Sequence, residues 1–588
     1  MASRHPVVFG VALLTVAAAG LYGCDDFLNN AAEPQGTLDE QTLANKAGVE
    51  GSLIAAYRAL DWTTGVGGAW GSAASNWVWG SVTSDDAYKG SEASDQPNIN
   101  DIEAFHWATG DAETYLNDKW RAVYEGVVRA NAALRLLQQV RETKPGEIND
   151  TDASGIEGEA LFLRAHYHFE GWRMWGNIPY YRDDDTDFRK PNMSSEEVAA
   201  AILADLEAAI PLLPTTPRNA QVGRATQWTA KAYKGRVQMY AGQYAAALTT
   251  LREIQSGGPY ALEASYDRIW TGFQDFANGK ETIFAFQASA NDGEVDGNNA
   301  NYGERLNFPH SGSPFGCCGF HQPTQNLVNF FAVDAAGLPV ALTDPNWNTR
   351  DANLTSATLT PVDPRLDWTV GRDGVPYKDW GAHAAGWIRA PSYGGPYSAK
   401  KNIHEKASNA ESAVGWVPTQ LNSVNIHLFR YADLLLLLAE AEVEAGSPEN
   451  ARTIVNEIRT RAAVRAQGPG TDRASIAIAI NDPRITWATY RIGTYTTPWT
   501  SQDEARARVR AERRLELAME GQRFFDLKRW GILEQTLNDY MTVEKNRRLY
   551  LAGAEAVTDR HRLYPIPAIQ IELSKASGQT TLTQNPGW

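Results

Sequence analysis

The sequence predicts a mainly α-helical protein built from helical hairpins, with a large loop-rich and partly β region among them. Two observations support this prediction. Leucine and alanine recur at helical spacing in two separate places, whereas residues 272–416 show little periodicity and only short strand-like pieces such as Glu281–Phe286. At 588 residues the chain is too long for one ordinary core, so two or more cooperating lobes are expected.

One hairpin lies between Arg430 and Ala466. Its first helix carries an apolar stripe with the spacing i, i+3, i+4, i+7 and i+11, formed by Leu434, Leu437, Leu438, Ala441 and Ala445. Leu435 and Leu436 flank the stripe, so this helix is expected to be buried nearly all round. Gly446, which is able to take a positive φ, ends it, and Ser447 caps a second helix that opens with Pro448.

A second hairpin occurs earlier, with its turn at Ala241–Tyr244 between a helix containing Tyr233 and one containing Leu248. Both turns contain Ala-Gly, and both second helices have alanine a few residues in. This pattern is typical of tetratricopeptide-like (TPR-like) helix pairs. One pair cannot bury its own apolar face, so several pairs are expected to stack.

Composition excludes some classes of protein. The 54 basic and 70 acidic residues leave a net charge of −16, which disfavours binding to nucleic acid. Three cysteines are too few for a disulfide-stapled fold or a cysteine-rich zinc module. Cys317 and Cys318 are adjacent, which allows a strained disulfide between them; we favour the simpler interpretation of two small residues in a glycine-flanked loop.

The N-terminus has the form of a lipoprotein signal. Residues 1–23 contain an apolar run, Val7–Leu21, that is too short to span a membrane. Leu21–Cys24 then matches a lipoprotein cleavage box, which predicts that Cys24 is acylated and anchors the mature chain by lipid. The alternative is ordinary secretory cleavage beside an incidental cysteine.

Two loop regions combine aromatic and polar side chains. The first, residues 63–90, is rich in Gly, Ser and Trp; the second is the loop-rich stretch 272–416. The first contains Trp70, Asn76, Trp77, Trp79, Asp85, Asp86, Tyr88 and Lys89. The second contains Asn298, Asn299, Tyr302, Arg305, Trp380, Trp387, Tyr393 and Tyr397. Long loops of this kind either form a binding surface or fold over the core.

A charged helix, Gln502–Glu520, leads into the segment Glu512–Gly531, with the sequence ERRLELAMEGQRFFDLKRWG. Its Arg and Glu residues are expected to pair across a buried helix junction, as architecture and not as catalysis. This segment resembles the SusD/RagB family. Further resemblances to that family occur at Cys24–Leu28, Arg164–Phe169, Trp175–Pro179, Gly223–Thr226, Asp363–Leu366, Arg430–Leu435, Tyr564–Pro567 and Gln584–Trp588.

The resemblance implies a helical scaffold whose loops bind glycan, without enzymatic activity, cofactor or metal. It also implies an outer-membrane lipoprotein that faces the cell surface and delivers its ligand to a TonB-dependent (SusC-like) transporter. The corresponding organisation is a signal peptide at 1–23, an N-terminal region with TPR-like helices at 24–260, and a C-terminal region at 261–588.

Glycans present apolar C–H faces and hydroxyl rims, which aromatic rings and polar side chains recognise together. The ligand site is therefore predicted in the two loop regions. The predicted contacts are Trp70, Trp77, Asp86, Tyr88 and Lys89 from the first region and Tyr302, Arg305, Trp387 and Tyr393 from the second. Tyr88 and Trp387 are the first choices, since each lies amid polar and glycine residues. The alternative for every ring is that it seals a loop onto the scaffold.

Two other functions remain open. A TPR-like scaffold can bind a protein or peptide without any small ligand. A glycoside hydrolase needs only two suitably spaced carboxylates, and 70 acidic residues make some such pair inevitable. The motifs of other enzyme classes do not match: His404-Glu405, for example, lacks the second histidine of a zinc-protease helix.

Overall fold

The computed structural model describes residues 40–61, 66–358, 360–415 and 420–588. The predicted signal peptide and Cys24 lie outside these residues. Within the described residues, no helix is both long enough and apolar enough to cross a membrane.

The helices fall into an N-terminal and a C-terminal set, with a loop-rich stretch between them. The N-terminal helices are α1 Glu40–Leu43, α2 Lys46–Arg58, α3 Asn98–Glu103, α4 Gly110–Thr143, α5 Asp150–Trp175, α6 Ser195–Leu212, α7 Gln227–Tyr240 and α8 Tyr244–Gly257. Three short helices follow: α9 Gln325–Phe330, α10 Leu366–Thr369 and α11 Pro391–Gly394. The C-terminal helices are α12 Tyr431–Ala445, α13 Pro448–Ala462, α14 Arg473–Ile476, α15 Gln502–Leu517, α16 Arg523–Arg529, α17 Leu533–Arg547 and α18 Ala568–Leu573.

The strands are short and form only two-stranded sheets within the described part of the chain. They are β1 Ala87–Gly90, β2 Thr282–Phe286, β3 Phe320–Pro323, β4 Pro361–Val362, β5 Val370–Gly371, β6 Ser398–Ala399, β7 Ile426–Arg430, β8 Ala466–Gln467, β9 Ala477–Ile478, β10 Thr489–Tyr490, β11 Lys575–Ala576 and β12 Gln579–Thr580. The pairs are β1–β3, β2–β7, β5–β6, β8–β9 and β11–β12, all antiparallel, and β4–β10, which is parallel.

The long helices pack in succession, which confirms the mainly α-helical scaffold of helical hairpins. Helix α2 packs on α4, α4 on α5, α5 on α6, α6 on α7 and α7 on α8; α8 then packs on α12, which also contacts α13 and α15. A single hydrophobic core includes residues of both chain halves, such as Leu251 and Leu438. The division of the mature chain near residue 260 stays a prediction.

Both predicted hairpins are present, as α7–α8 and α12–α13. The five leucines of Leu434–Leu438 are all completely buried. This confirms the prediction, made from the apolar stripe and its flanking leucines, that the helix is buried nearly all round. Gly446 does follow α12, but its φ is −128°, so the expectation of a positive φ is wrong. Ser447 is the N-cap residue of α13, although its side chain makes no capping hydrogen bond.

A buried network of ion pairs joins α15 to the rest of the scaffold. Arg365 Nη1 lies 2.7 Å from Glu512 Oε1 and 3.0 Å from Glu516 Oε2, and Arg430 Nη1 lies 2.7 Å from Glu516 Oε1. Arg461 also pairs with Glu516. Burial opposes ionisation of the Glu516 carboxyl, but the charges of these arginines outweigh it and hold its pKa well below the ordinary value. The predicted pairing across a buried helix junction is confirmed.

The structure links Cys317 to Cys318 by a disulfide. The interpretation of two unlinked small residues is therefore wrong. Cys317 is partly exposed and Cys318 is buried. The carbonyl oxygen of Cys317 accepts a hydrogen bond from the Gln420 side-chain amide at 2.5 Å, which ties this turn to the segment just before β7.

Candidate functional site

The described parts of the two loop regions lie against each other. Strand β1 of the first pairs with β3 of the second, with Tyr88 opposite Gln322. The Asp61 carboxylate holds the same two regions together at another point, because it accepts hydrogen bonds from the backbone N–H of Ala74 at 2.9 Å and of Gly303 at 3.2 Å. A Cβ at position 303 would lie 2.6 Å from Asp61 Oδ1, so glycine is required for this approach. The two regions therefore form one surface.

Trp70 and Tyr302 form an aromatic pair at this junction. Their ring centroids are 5.9 Å apart and their planes differ by 7°, which is an offset parallel stack. Both residues are partly exposed. Trp70 packs in part against the hydrophobic core, and Tyr302 opens a short 3₁₀ turn, Tyr302–Asn307. The pair combines one ring from each loop region.

Polar side chains precede Tyr302 in the chain. Asn298 and Asn299 are partly exposed, and their amide groups donate to Glu294 and Asp292, at 3.2 and 2.9 Å. The Arg58 guanidinium at the end of α2 donates to the Asn298 carbonyl at 2.5 Å, so this loop is fixed on the scaffold. Amide and carboxylate groups of this kind can pair with the hydroxyl groups of a sugar.

Tyr393 is also partly exposed but has different ring partners. Its ring stacks on Tyr550 with centroids 4.1 Å apart, and its hydroxyl donates to Asn100 Oδ1 at 2.6 Å. The Lys89 ammonium lies 5.0 Å from the Tyr393 ring centroid. These contacts join Tyr393 to α3 and to the segment after α17, and not to the Trp70–Tyr302 pair.

The structure buries the other predicted contact residues, which corrects the expectation that they are exposed. Trp77, Asp86, Tyr88, Lys89, Arg305 and Trp387 are each at most 7% exposed. Trp79, Asn76, Asp85 and Tyr397 are buried as well. None of these side chains presents more than a small part of its surface to solvent, so the candidate site is limited to the exposed members of the predicted set.

Burial of the two first choices has specific causes. The Tyr88 hydroxyl donates to the Glu544 carboxylate on α17, and the Arg548 guanidinium lies 5.1 Å from the Tyr88 ring centroid. Burial raises the pKa of the Tyr88 hydroxyl well above its ordinary value, and the Glu544 charge adds to this effect. Trp387 packs edge-on against Tyr377, with ring centroids 5.4 Å apart. Tyr88 therefore ties its loop to helix α17, whereas Trp387 packs in a small separate hydrophobic cluster within the second loop region.

Residues 71–90 of the first loop region are buried because they pack on the Glu512–Gly531 segment. Asp85 pairs with Arg523 at 2.7 Å, and Asp86 pairs with Arg514 at 3.2 Å. Trp77–Val82 forms one buried π-helical turn, in which a Cβ at Gly80 would collide with the carbonyl of Gly521. The two aspartates are therefore counter-ions of the charged segment.

The buried Lys89 side chain, like Asp85 and Asp86, makes structural contacts. Its ammonium donates to the carbonyl oxygens of Glu92 at 2.8 Å and Asp95 at 2.7 Å. Burial lowers the pKa of Lys89 to about 8, although the nearby Glu103 carboxylate acts in the opposite direction. The side chain thus closes the loop that follows β1.

Sequence reasoning missed Asp61, the residue that holds both loop regions in place. Asp61 lies 13 residues from Ala74 and 242 residues from Gly303. It lies in the turn just after α2, where an aspartate is common and carries no particular signal. Only the three-dimensional contact reveals its role.

Comparison with known proteins agrees with this architecture. The family model described as "SusD family" matches residues 280–588, which is more than half of the chain. The chain belongs to the SusD family. A second family model, described as "Starch-binding associating with outer membrane", matches residues 66–239.

Individual relatives match nearly the whole chain. SusD-like protein P38 of Formosa agariphila is 25% identical over 531 residues, covering 88% of this chain and 90% of that protein. A SusD superfamily protein from Bacteroides vulgatus is similar in structure with a TM-score of 0.66, at 20% identity, over 94% of this chain and 99% of that one. Surface glycan-binding protein A from Bacteroides thetaiotaomicron, solved with laminarihexaose, has a TM-score of 0.62 at 19% identity, over 92% and 99%. These structural likenesses show a shared SusD-like fold.

Proposed function

We propose that this SusD-family protein binds an oligo- or polysaccharide at the junction of its two loop regions, with the stacked Trp70–Tyr302 pair at the centre of the site. The single observation that carries the proposal is this pair of partly exposed, parallel rings. An exposed ring face covers the apolar C–H face of a sugar, and the amide groups of Asn298 and Asn299, four and three residues before Tyr302, can pair with its hydroxyls. Tyr393 marks a second aromatic contact further along the same loops.

Membership of the family supports the same conclusion. The model that matches residues 66–239 is described as starch-binding, and the glycan-binding relative from B. thetaiotaomicron was solved with a bound hexasaccharide. The ligand is captured and released unchanged, without hydrolysis. The chain acts at the outer membrane, faces the cell surface, and delivers its ligand to a TonB-dependent SusC-like transporter.

The binding site is tested by calorimetry with Trp70→Ala and Tyr302→Ala. A glycan array identifies the best ligand, beginning with laminarihexaose as the probe. Loss of either ring is expected to raise the Kd about thirtyfold, which corresponds to about 2 kcal/mol for a central aromatic contact. Trp228→Ala is the matched control, since Trp228 is a partly buried tryptophan on α7, outside both loop regions. Unchanged affinity in both loop variants, or a wild-type protein that binds no saccharide on the array, would contradict the proposal.

The lipid anchor is tested at Cys24. Cys24→Ser removes the thiol that would be acylated, so the protein is expected to lose palmitate labelling and to leave the membrane fraction. Asn30→Ser, a change in the same segment that keeps the cysteine, is expected to remain labelled and membrane-bound. A Cys24→Ser protein that is still labelled would show that the anchor lies elsewhere.

A further inference from the structure

A cavity lies within the helical scaffold, and none of its lining residues belongs to either loop region. Its volume is about 410 Å³, within the roughly 300–1,000 Å³ typical of small-molecule sites. It is bounded by the end of α5, the first residue of α6, the end of α7, helix α16 and the C-terminal segment after α17. Trp172, Tyr240 and Lys528 are among the side chains that line it.

The wall of this cavity is strongly cationic, although the chain as a whole has a net charge of −16. Among the residues that the structure describes, five basic side chains and one carboxylate, that of Asp559, line it. The basic residues are Arg173, Lys528, Arg529, Arg560 and Arg562. A concentration of one charge in a concave site creates a local potential that attracts ligands of the opposite sign.

The carboxylates that balance the buried arginines lie outside the cavity lining. Arg173 pairs with Glu170 at 2.7 Å, and Arg529 pairs with Asp526 at 2.9 Å. Neither carboxylate lines the cavity. These carboxylates therefore fix the two arginines from outside the cavity, while the guanidinium groups form part of its wall.

Aromatic rings fix the same guanidinium groups. Arg173 lies 4.3 Å from the Phe525 ring centroid, and Arg529 lies 5.4 Å from that of Tyr240. Cation–π contacts at these distances hold a guanidinium in place without neutralising its charge. The Arg173 and Arg529 guanidinium groups are therefore held in position before a ligand binds.

Lys528 is the cation with the fewest compensating groups. Its ammonium donates to the Arg173 carbonyl at 2.8 Å, and no carboxylate in the described part of the chain forms an ion pair with it. Burial lowers the pKa of Lys528 to about 7, and the charges of Arg562 and Arg173 lower it further. Arg173 and Arg562 already have carboxylate partners, Glu170 at 2.7 Å and Asp559 at 3.3 Å. An anion in the cavity would supply the counter-charge that Lys528 lacks.

We infer that this cavity binds the anionic group of a carboxylated or sulfated sugar residue, with Lys528 and Arg562 as its cationic contacts. The preference for an anion rests on the wall itself. The choice of a sugar rests on the proposed function, and agrees with the cavity's size and with the presence of Trp172 and Tyr240 in its lining. The site is separate from the Trp70–Tyr302 pair, so the chain would contact a charged glycan at two places.

The test uses glucuronate and glucose 6-sulfate as probes, with glucose as the neutral probe, in calorimetry on the full chain. Both charged sugars are expected to bind at least tenfold more tightly than glucose. Lys528→Met is expected to weaken their binding about tenfold, and Arg562→Gln several-fold. Lys545→Met is the matched control, because the Lys545 ammonium also donates to a backbone carbonyl, that of Ala554 at 3.0 Å, but does not line the cavity.

Several outcomes would overturn the inference. These are equal affinity for glucose and glucuronate, unchanged affinity in both Lys528→Met and Arg562→Gln, or equal affinity for inorganic sulfate and the sulfated sugar. If melting curves show that Lys528→Met is unfolded, Arg562→Gln decides, since the Arg562 side chain is 56% exposed. Charged-sugar binding that persists in Trp70→Ala distinguishes this site from the loop site, so each proposal can fail without the other.

Discussion

Replacement of Glu516 by alanine is expected to lower the free energy of unfolding by about 3–5 kcal/mol, the cost of removing one partner from a buried ion pair. Glu516 is completely buried and pairs with Arg365, Arg430 and Arg461. Without its carboxylate, three buried guanidinium groups lose a shared counter-charge in an environment where solvent cannot replace it. The measurement is thermal and denaturant unfolding of the variant beside the wild type.

Glu504→Ala provides a control on the same helix. The Glu504 side chain is 64% exposed and pairs only with Arg508, at 3.3 Å, among its contacts within the described residues. Exposed pairs of this kind contribute about 0–1 kcal/mol, so this variant is expected to melt close to the wild type. Equal stability of the two variants would show that the network around Glu516 is not part of the stable core.

Replacement of Tyr88 by alanine is expected to cost about 3–5 kcal/mol of stability, as for a large aromatic side chain removed from a core. The Tyr88 ring is 0% exposed, and its hydroxyl is the donor to Glu544. Tyr88→Phe keeps the ring and removes the hydroxyl, which donates to Glu544 and accepts from the Gln325 backbone N–H at 3.4 Å, so it is expected to cost about 1–3 kcal/mol. Both changes are measured by unfolding curves.

The Tyr88 variants also decide between a core role and a ligand-binding role. Phe188→Ala is the control, because Phe188 is 67% exposed and its loss is expected to leave the melting temperature nearly unchanged. In Tyr88→Phe, glycan affinity is expected to stay at the wild-type value. A Tyr88→Ala protein with wild-type stability and weakened glycan binding would instead show that Tyr88 contacts the ligand.

The difference between Trp70 and Trp77 shows why the sequence could not predict which aromatic rings of the loop regions are exposed. Both tryptophans lie in the same Gly- and Ser-rich loop, and nothing in their immediate sequence separates them. Trp77 is buried because its indole N–H donates to the Gly303 carbonyl at 3.2 Å and its ring packs on Phe320. Trp70 keeps part of its ring exposed because its stacking partner, Tyr302, is itself at the surface.

The sequence by itself determined the helical hairpins and the architectural role of the Glu512–Gly531 charges. These features depend on spacings of a few residues, or on charges too numerous in one segment to be left unpaired when buried. The tertiary structure alone decided which loop aromatics reach solvent and which carboxylates serve as counter-ions. Those outcomes depend on partners far apart in the chain, such as Tyr88 and Glu544, separated by 456 residues, and local sequence carries no record of such contacts.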